Sequence, residues 1–182
     1  MNFNYIFHII KNMNVIRTNR LYIKPYIDKY MNNIIKFYTD SDLHKYQDIC
    51  ESDEEVIQII NSMNNYFNQS YGIMGIKCIF LTDNTLIGMI PIFPNLYLEF
   101  GITIDYNYQN QGLATEALQL LVNHYQQISF LPSIYQGFYS QTNCNNFKCQ
   151  HVLNNAGFIF NNIKLTCCDK HADYTYILEI KN

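Results

Sequence analysis

Residues 96–139 read as strand, loop, helix, strand, and that order leaves this chain few ways to fold. Residues 96–105 alternate in the manner of a strand, and residues 134–139 do so again. Between them, from Gly112 to Tyr125, the apolar residues Leu113, Ala117, Leu118, Leu121 and Tyr125 recur at helical spacing. A helix that links two strands of one sheet forces a crossover, so these two strands are expected to run parallel.

The rest of the chain supplies shorter connections. Residues 21–25 read as a strand ended by Pro25, and residues 27–38 as a helix whose Ile27, Tyr30, Met31, Ile34, Phe37 and Tyr38 share one face. Ser52 with Glu55 forms a capping box before a second helical stripe of Val56, Ile59, Ile60, Met63 and Phe67. Residues 76–81, 86–93 and 96–105 then form an antiparallel meander, turned by Thr82-Asp83-Asn84-Thr85 and by Pro94-Asn95. A helix over residues 146–156, stopped by Gly157, and a final strand over residues 174–180 complete the order. The expected fold class is mixed α/β (α+β), a mostly antiparallel central sheet with helices on both faces and one parallel pair.

With 182 residues and 48% apolar composition, a single domain over residues 13–182 can bury its own core. Residues 1–12 are expected to be a loosely held extension, with translation starting at Met1 or Met13. The run 5–10 is broken by His8, far short of the roughly 20 residues that span a bilayer, and no small-residue cleavage site follows it. A net charge of −3 with 15% charged residues gives no basic footprint for nucleic acid. Cys50, Cys78, Cys144, Cys149, Cys167 and Cys168 form no C-x-x-C pair and no zinc spacing, so they read as free thiols of a cytoplasmic protein that holds no metal. Neither membrane nor nucleic acid is expected as a partner.

Gln109-Asn110-Gln111-Gly112-Leu113-Ala114 sits where a strand gives way to a helix. The first N–H groups of a helix have no partner within it, and together with the helix dipole they attract phosphate. Gly112 lets a ligand approach the backbone. Taken with the strand Glu99-Phe100-Gly101-Ile102-Thr103-Ile104-Asp105 and the run Thr115-Glu116-Ala117-Leu118, this loop resembles the acetyl-CoA signature of the GNAT acetyltransferase superfamily, Q/R-x-x-G-x-G/A. Thr18-Asn19-Arg20-Leu21, and Asn146-Phe147-Lys148-Cys149 followed by Val152-Leu153 and Gly157-Phe158, are similar to segments of the branch that acetylates the N-termini of ribosomal proteins.

The resemblance implies a splayed parallel pair, one strand ending near Asp105 and the other beginning near Ile134, with the pantetheine arm of acetyl-CoA in the gap. It implies that the backbone of Ile102, Thr103 and Ile104 pairs with the arm, that residues 109–114 and Thr115 cradle the pyrophosphate, and that Asn146 and Cys149 meet the coenzyme from the other side. It also shows departures. The loop carries no Arg or Lys, Cys149 stands where Ser is usual, and Leu153 stands where many relatives carry a Tyr acid.

The chemistry needs a base for the attacking amine and a donor for the departing thiolate. Alternation puts Glu99, Gly101 and Thr103 on one sheet face, which makes Glu99 the candidate base. Cys149 is the candidate donor, with Tyr135 and Tyr139 as possible substitutes. The main-chain N–H of Thr103 or Ile104 is the candidate oxyanion donor. Two functions remain open: an N-acetyltransferase acting on a protein N-terminus or small amine by direct attack in a ternary complex, or a non-catalytic acyl-CoA-binding module. The partners are then acetyl-CoA and an amine acceptor, the protein being a monomer or homodimer.

Overall fold

In the computed structural model, the described residues are 15–43, 45–46, 50, 52–69, 72–128, 131, 134–165 and 172–180. The expected N-terminal extension, Glu51, Cys167 and Cys168 lie outside them. In chain order the elements are β1 (Ile16–Arg17), β2 (Leu21–Pro25), a 3-10 turn (Asp28–Tyr30), α1 (Met31–Thr39), α2 (Asp53–Gln69), β3 (Gly75–Leu81), β4 (Leu86–Phe93), β5 (Leu98–Phe100) and β6 (Thr103–Ile104). A second 3-10 turn (Tyr106–Tyr108), α3 (Leu113–Gln126), β7 (Gly137–Asn143), α4 (Phe147–Asn155), β8 (Ile159–Leu165) and β9 (Ala172–Glu179) follow.

The strands form one sheet in the order β1-β2-β3-β4-β5-β7-β9-β8, with β6 pairing β4. Among the paired strands, only β5 and β7 are parallel, through Leu98 with Phe138 and Glu99 with Tyr139. The crossover demanded by α3 is therefore present. Apolar side chains fill both faces. Leu113, Ala117, Leu118, Leu121, Val122 and Tyr125 of α3, with Leu153 of α4, pack against Ile90, Ile92, Leu98, Phe100 and Phe138. On the other face Ile34 and Phe37 of α1, with Val56, Ile60 and Met63 of α2, pack against Ile76, Cys78, Phe80 and Met89.

Local signals set the ends of the elements. Ser52 Oγ accepts from Glu55 N at 3.2 Å at the head of α2. Asn84 takes a left-handed φ of 71° in the β3–β4 turn. At the end of α4, Phe158 N reaches Leu153 O and Gly157 N reaches Asn154 O, both at 3.0 Å, the bond pair of a left-handed helix cap.

Three boundaries depart from the sequence reading. The strand expected over 134–139 runs instead from Gly137 to Asn143, because Ile134 N and Tyr135 N are both spent in a turn on Leu131 O. The run 96–105 divides into β5 and β6, so the parallel pair forms at Leu98 and Glu99, well before Asp105. The last strand has a partner, β8, that periodicity did not single out. Residues 159–164 are all exposed, and Asn161, Asn162 and Lys164 break any apolar alternation there.

One buried charge has a measurable consequence. Lys77 of β3 is 4% exposed and donates from Nζ to the carbonyls of Gly72 and Met74. Burial pushes its pKa from the ordinary 10.5 down to about 7. Between these values the unfolded chain holds a proton that the folded chain has released, so stability rises with pH. Above the ordinary thiol value of 9.0 the slope is opposed by Cys78, which burial pushes up to about 12. Chemical denaturation should therefore show stability climbing from about pH 7 to 9, and Lys77→Met should remove that climb.

Candidate functional site

The site is built where β5 and β6 lose their partner on one side. Gly101 N donates to Pro91 O at 3.0 Å and Asp105 N to Ile87 O at 2.8 Å, so alternate residues 101, 103 and 105 face β4. Thr103 is paired with Met89 accordingly. The main-chain groups of Ile102 and Ile104 turn the other way, toward β7. Pro91 has no N–H to give Gly101, which interrupts the ladder between β5 and β6.

On the β7 side the ladder ends after Glu99. Ser140 Oγ donates to Phe100 O at 2.8 Å, and Gln109 Nε2 caps Ile104 O at 3.0 Å. Ile102 has no main-chain hydrogen bond to any described residue. Buried or half-buried peptide groups need partners. The second half of β7 is thus left unpaired with β6, and this break in the sheet, the gap between the two strands, is edged by polar backbone.

At one end of this gap lies the loop 109–112. Asn110 and Gly112 take left-handed φ values of 60° and 75°, and Gly112 is the N-cap of α3. The first helical bond is Glu116 N to Gly112 O, so the N–H groups of Leu113, Ala114 and Thr115 are left without helical partners. The Leu113 side chain is 4% exposed and belongs to the core, so its contribution here is its N–H alone. Gln111 Nε2 donates to Asn107 O at 3.2 Å.

Asn146 and Cys149 enter from α4. Asn146 Oδ1 accepts from Cys149 N at 3.1 Å and caps the helix, which leaves the Asn146 amide nitrogen as its other polar group. The Cys149 thiol is half-buried; burial pushes its pKa up, and the neighbouring Thr142 hydroxyl offsets part of this. The Thr142 oxygen is buried, and the Cys149 thiol is the polar group beside it. Leu153 is fully buried and offers no proton.

Glu99 lies on the opposite face, across from Tyr139. Tyr139 donates to Gln141 Oε1 at 3.0 Å, and Gln141 Nε2 donates to Asp173 Oδ2 at 2.7 Å. Burial raises the Tyr139 pKa, followed by the charges of Glu99 and Asp173. Of the two substitute acids, Tyr139 therefore adjoins Glu99. Tyr135 instead points its hydroxyl at Met74 Sδ, 3.9 Å away. His151 is engaged by Asn155 at 2.8 Å. Asp53, Glu54 and Glu55 are exposed in the first turn of α2.

Sequence reasoning did not place Arg20 at this site. Its guanidinium donates from Nη1 to Gln111 O at 3.0 Å and from Nε and Nη2 to Glu116 Oε2. Thr18 Oγ1 donates to the other oxygen of Glu116. Arg20 thus reaches the loop from just before β2, with its charge paired to Glu116. The signal available was the segment Thr18-Asn19-Arg20-Leu21, which carries a resemblance but no indication of what it touches.

A family model described as an acetyltransferase (GNAT) domain matches residues 20–159. The chain belongs to the GNAT acetyltransferase family. It is an acyltransferase, with the mixed sheet and single parallel pair of that fold. Among curated protein sequences none matches it. Among solved structures it is similar to a Salmonella typhimurium acetyltransferase that modifies the N-terminal serine of ribosomal protein L7/L12, at 18% identity and a TM-score of 0.75, over 92% of this chain and 100% of that one. A spermidine N-acetyltransferase from Vibrio cholerae, solved with CoA and spermine, gives 17% and 0.70 over 89% and 97%. A GNAT acetyltransferase from Bacillus anthracis gives 19% and 0.69 over 91% and 98%. These identities establish a shared fold. Among the described residues, no helix is long and apolar enough to cross a membrane, and no group of three or more His, Cys, Asp or Glu could hold a metal ion.

The left-handed φ at Gly112 gives this candidate site a direct test. A residue with a Cβ pays about 1–2 kcal/mol there, and Asn pays least. Gly112→Val should lower unfolding free energy by that amount and abolish coenzyme binding, whereas Gly112→Asn should retain most stability, as read by urea denaturation.

Proposed function

We propose that this chain transfers an acetyl group from acetyl-CoA to a primary amine, of a protein N-terminus or a small molecule, by direct attack in a ternary complex. The observation that carries the reading is the gap beside Ile102 and Ile104, edged by the unpaired peptide groups of Ile102 and ending at the open N-terminus of α3. An extended chain bearing amides fits the first, and a pyrophosphate fits the second. The buried Thr142 hydroxyl, beside the Cys149 thiol, adds a polar group on the β7 side. The family membership and the CoA-bound Vibrio cholerae relative agree with this ligand.

The residues then take separate tasks. The main-chain N–H groups of residues 112–115 hold the phosphates, and Ile102 and Ile104 align the arm as an added strand would. Thr103 is committed to Met89, so Ile104 N–H is the better placed of the two oxyanion donors. Glu99 draws the proton from the attacking amine, through a water, on the face it shares with Tyr139. Cys149, kept protonated by burial, gives its proton to the departing thiolate. The acyl group itself comes from the thioester.

Thermal unfolding with and without acetyl-CoA, with ATP and NAD as controls, tests the coenzyme assignment. At about 100 times the dissociation constant, stabilisation is roughly 2.7 kcal/mol, a rise of about 5 to 10 °C for a chain this size. No rise at saturation would remove the reading. With an acceptor found by a thiol-release screen of peptides and polyamines, Glu99→Gln should lower kcat at neutral pH by about 100-fold while the acetyl-CoA-induced rise persists. An unaltered kcat would take the base role from Glu99.

A further inference from the structure

Gly112 makes the coenzyme loop possible but does not decide which way its peptide points. Glycine accepts either sign of φ at little cost. The peptide between Gln111 and Gly112 can therefore rotate as a unit, carrying the Gly112 N–H to either side of the loop. In a trans peptide the C=O and the following N–H point in opposite directions. Whatever grips the Gln111 carbonyl also aims the Gly112 N–H.

That grip is Arg20 Nη1, 3.0 Å from Gln111 O. The guanidinium is not free to wander. Its Nε and Nη2 both bond Glu116 Oε2, and Glu116 is held at its other oxygen by Thr18. A planar fork fixed along two N–H directions has its third direction fixed as well. Gly112 N has no bond to any described residue, so its direction is free to serve a ligand. With Glu116 as its partner, Arg20 is largely neutralised as a phosphate counter-charge, which separates this role from simple attraction.

We propose that Arg20 is a positioning residue for coenzyme binding: anchored on Glu116 and Thr18, it holds the Gln111 carbonyl outward and so turns the Gly112 N–H toward the coenzyme pyrophosphate. This rests on the coenzyme site proposed above. Arg20 touches the loop and not the reacting atoms, so its effect falls on affinity.

The test uses the full chain, with coenzyme A as the probe, by calorimetry and by the 15N–1H signal of Gly112. Wild-type protein should bind, with the Gly112 amide proton moving downfield on titration. Arg20→Gln and Arg20→Lys should each weaken binding by about tenfold, the loss of one oriented hydrogen bond to a charged group, and should abolish the Gly112 shift. Lysine keeps the charge but not the fork, so wild-type affinity in Arg20→Lys would overturn the proposal and assign Arg20 a charge role. A preserved Gly112 shift in both variants would overturn it too. Melting without coenzyme checks that the variants fold; should Arg20→Gln fail to, Arg20→Lys decides alone. Wild-type protein that does not bind coenzyme A would remove the coenzyme site and this inference with it, whereas binding by wild type and both variants alike would remove the inference only.

Discussion

A strand inside a sheet has two edges of N–H and C=O groups to satisfy, and between Phe100 and Ile104 this chain satisfies only one of them from a neighbouring strand. The other edge is repaired piecemeal. Ser140 supplies a hydroxyl to Phe100 O, and Gln109 supplies an amide to Ile104 O. Ile102 is left over. A peptide group left unpaired away from water costs free energy comparable to a lost hydrogen bond, so the half-buried edge at Ile102 favours a partner from outside the sheet. The layers of Leu118, Leu121 and Tyr125 against Phe100 and Phe138 keep β5 and β7 in contact at the base of the gap and make the divergence affordable.

The same helix that fills that layer brings its open N-terminus to the end of the gap. Ala117, Leu118 and Leu121 bury one face of α3, which orients its first turn. Glu116, on that turn, then reaches back to Arg20 and Thr18 at the start of β2. Residues about a hundred positions apart in sequence thereby meet at one loop. Packing and site geometry are coupled because the helix whose open N-terminus borders the candidate site is also one that buries a full apolar face in the core.

Much of this was legible from the residues in order. Alternation assigned Leu98, Phe100, Ile102 and Ile104 to one face and Glu99, Gly101 and Thr103 to the other, and the four apolar residues do pack into or against one core cluster. Helical spacing found α3, Ser52 found the head of α2, and Gly157 found the end of α4. The division of the run 96–105 was not legible, because its cause lies in Pro91 on the adjacent strand and in Ser140 forty residues later. β8 was missed since it exposes its side chains and gains its order from pairing with β9. Arg20 was noticed for its motif and not for its contact, since only folding brings β2 beside α3.

The sequence by itself determined the local periods, the caps, the crossover and the left-handed turn, because each depends on covalent geometry and on side chains within a few residues. It also carried the signature of the acyltransferase family. Only the tertiary structure decided where the strands part, which peptide groups are left unpaired, and which side chain grips the carbonyl of Gln111. Those are matters of hydrogen-bond supply among distant segments, and the supply is known only once the sheet has assembled and each donor has either found an acceptor or been left facing the gap.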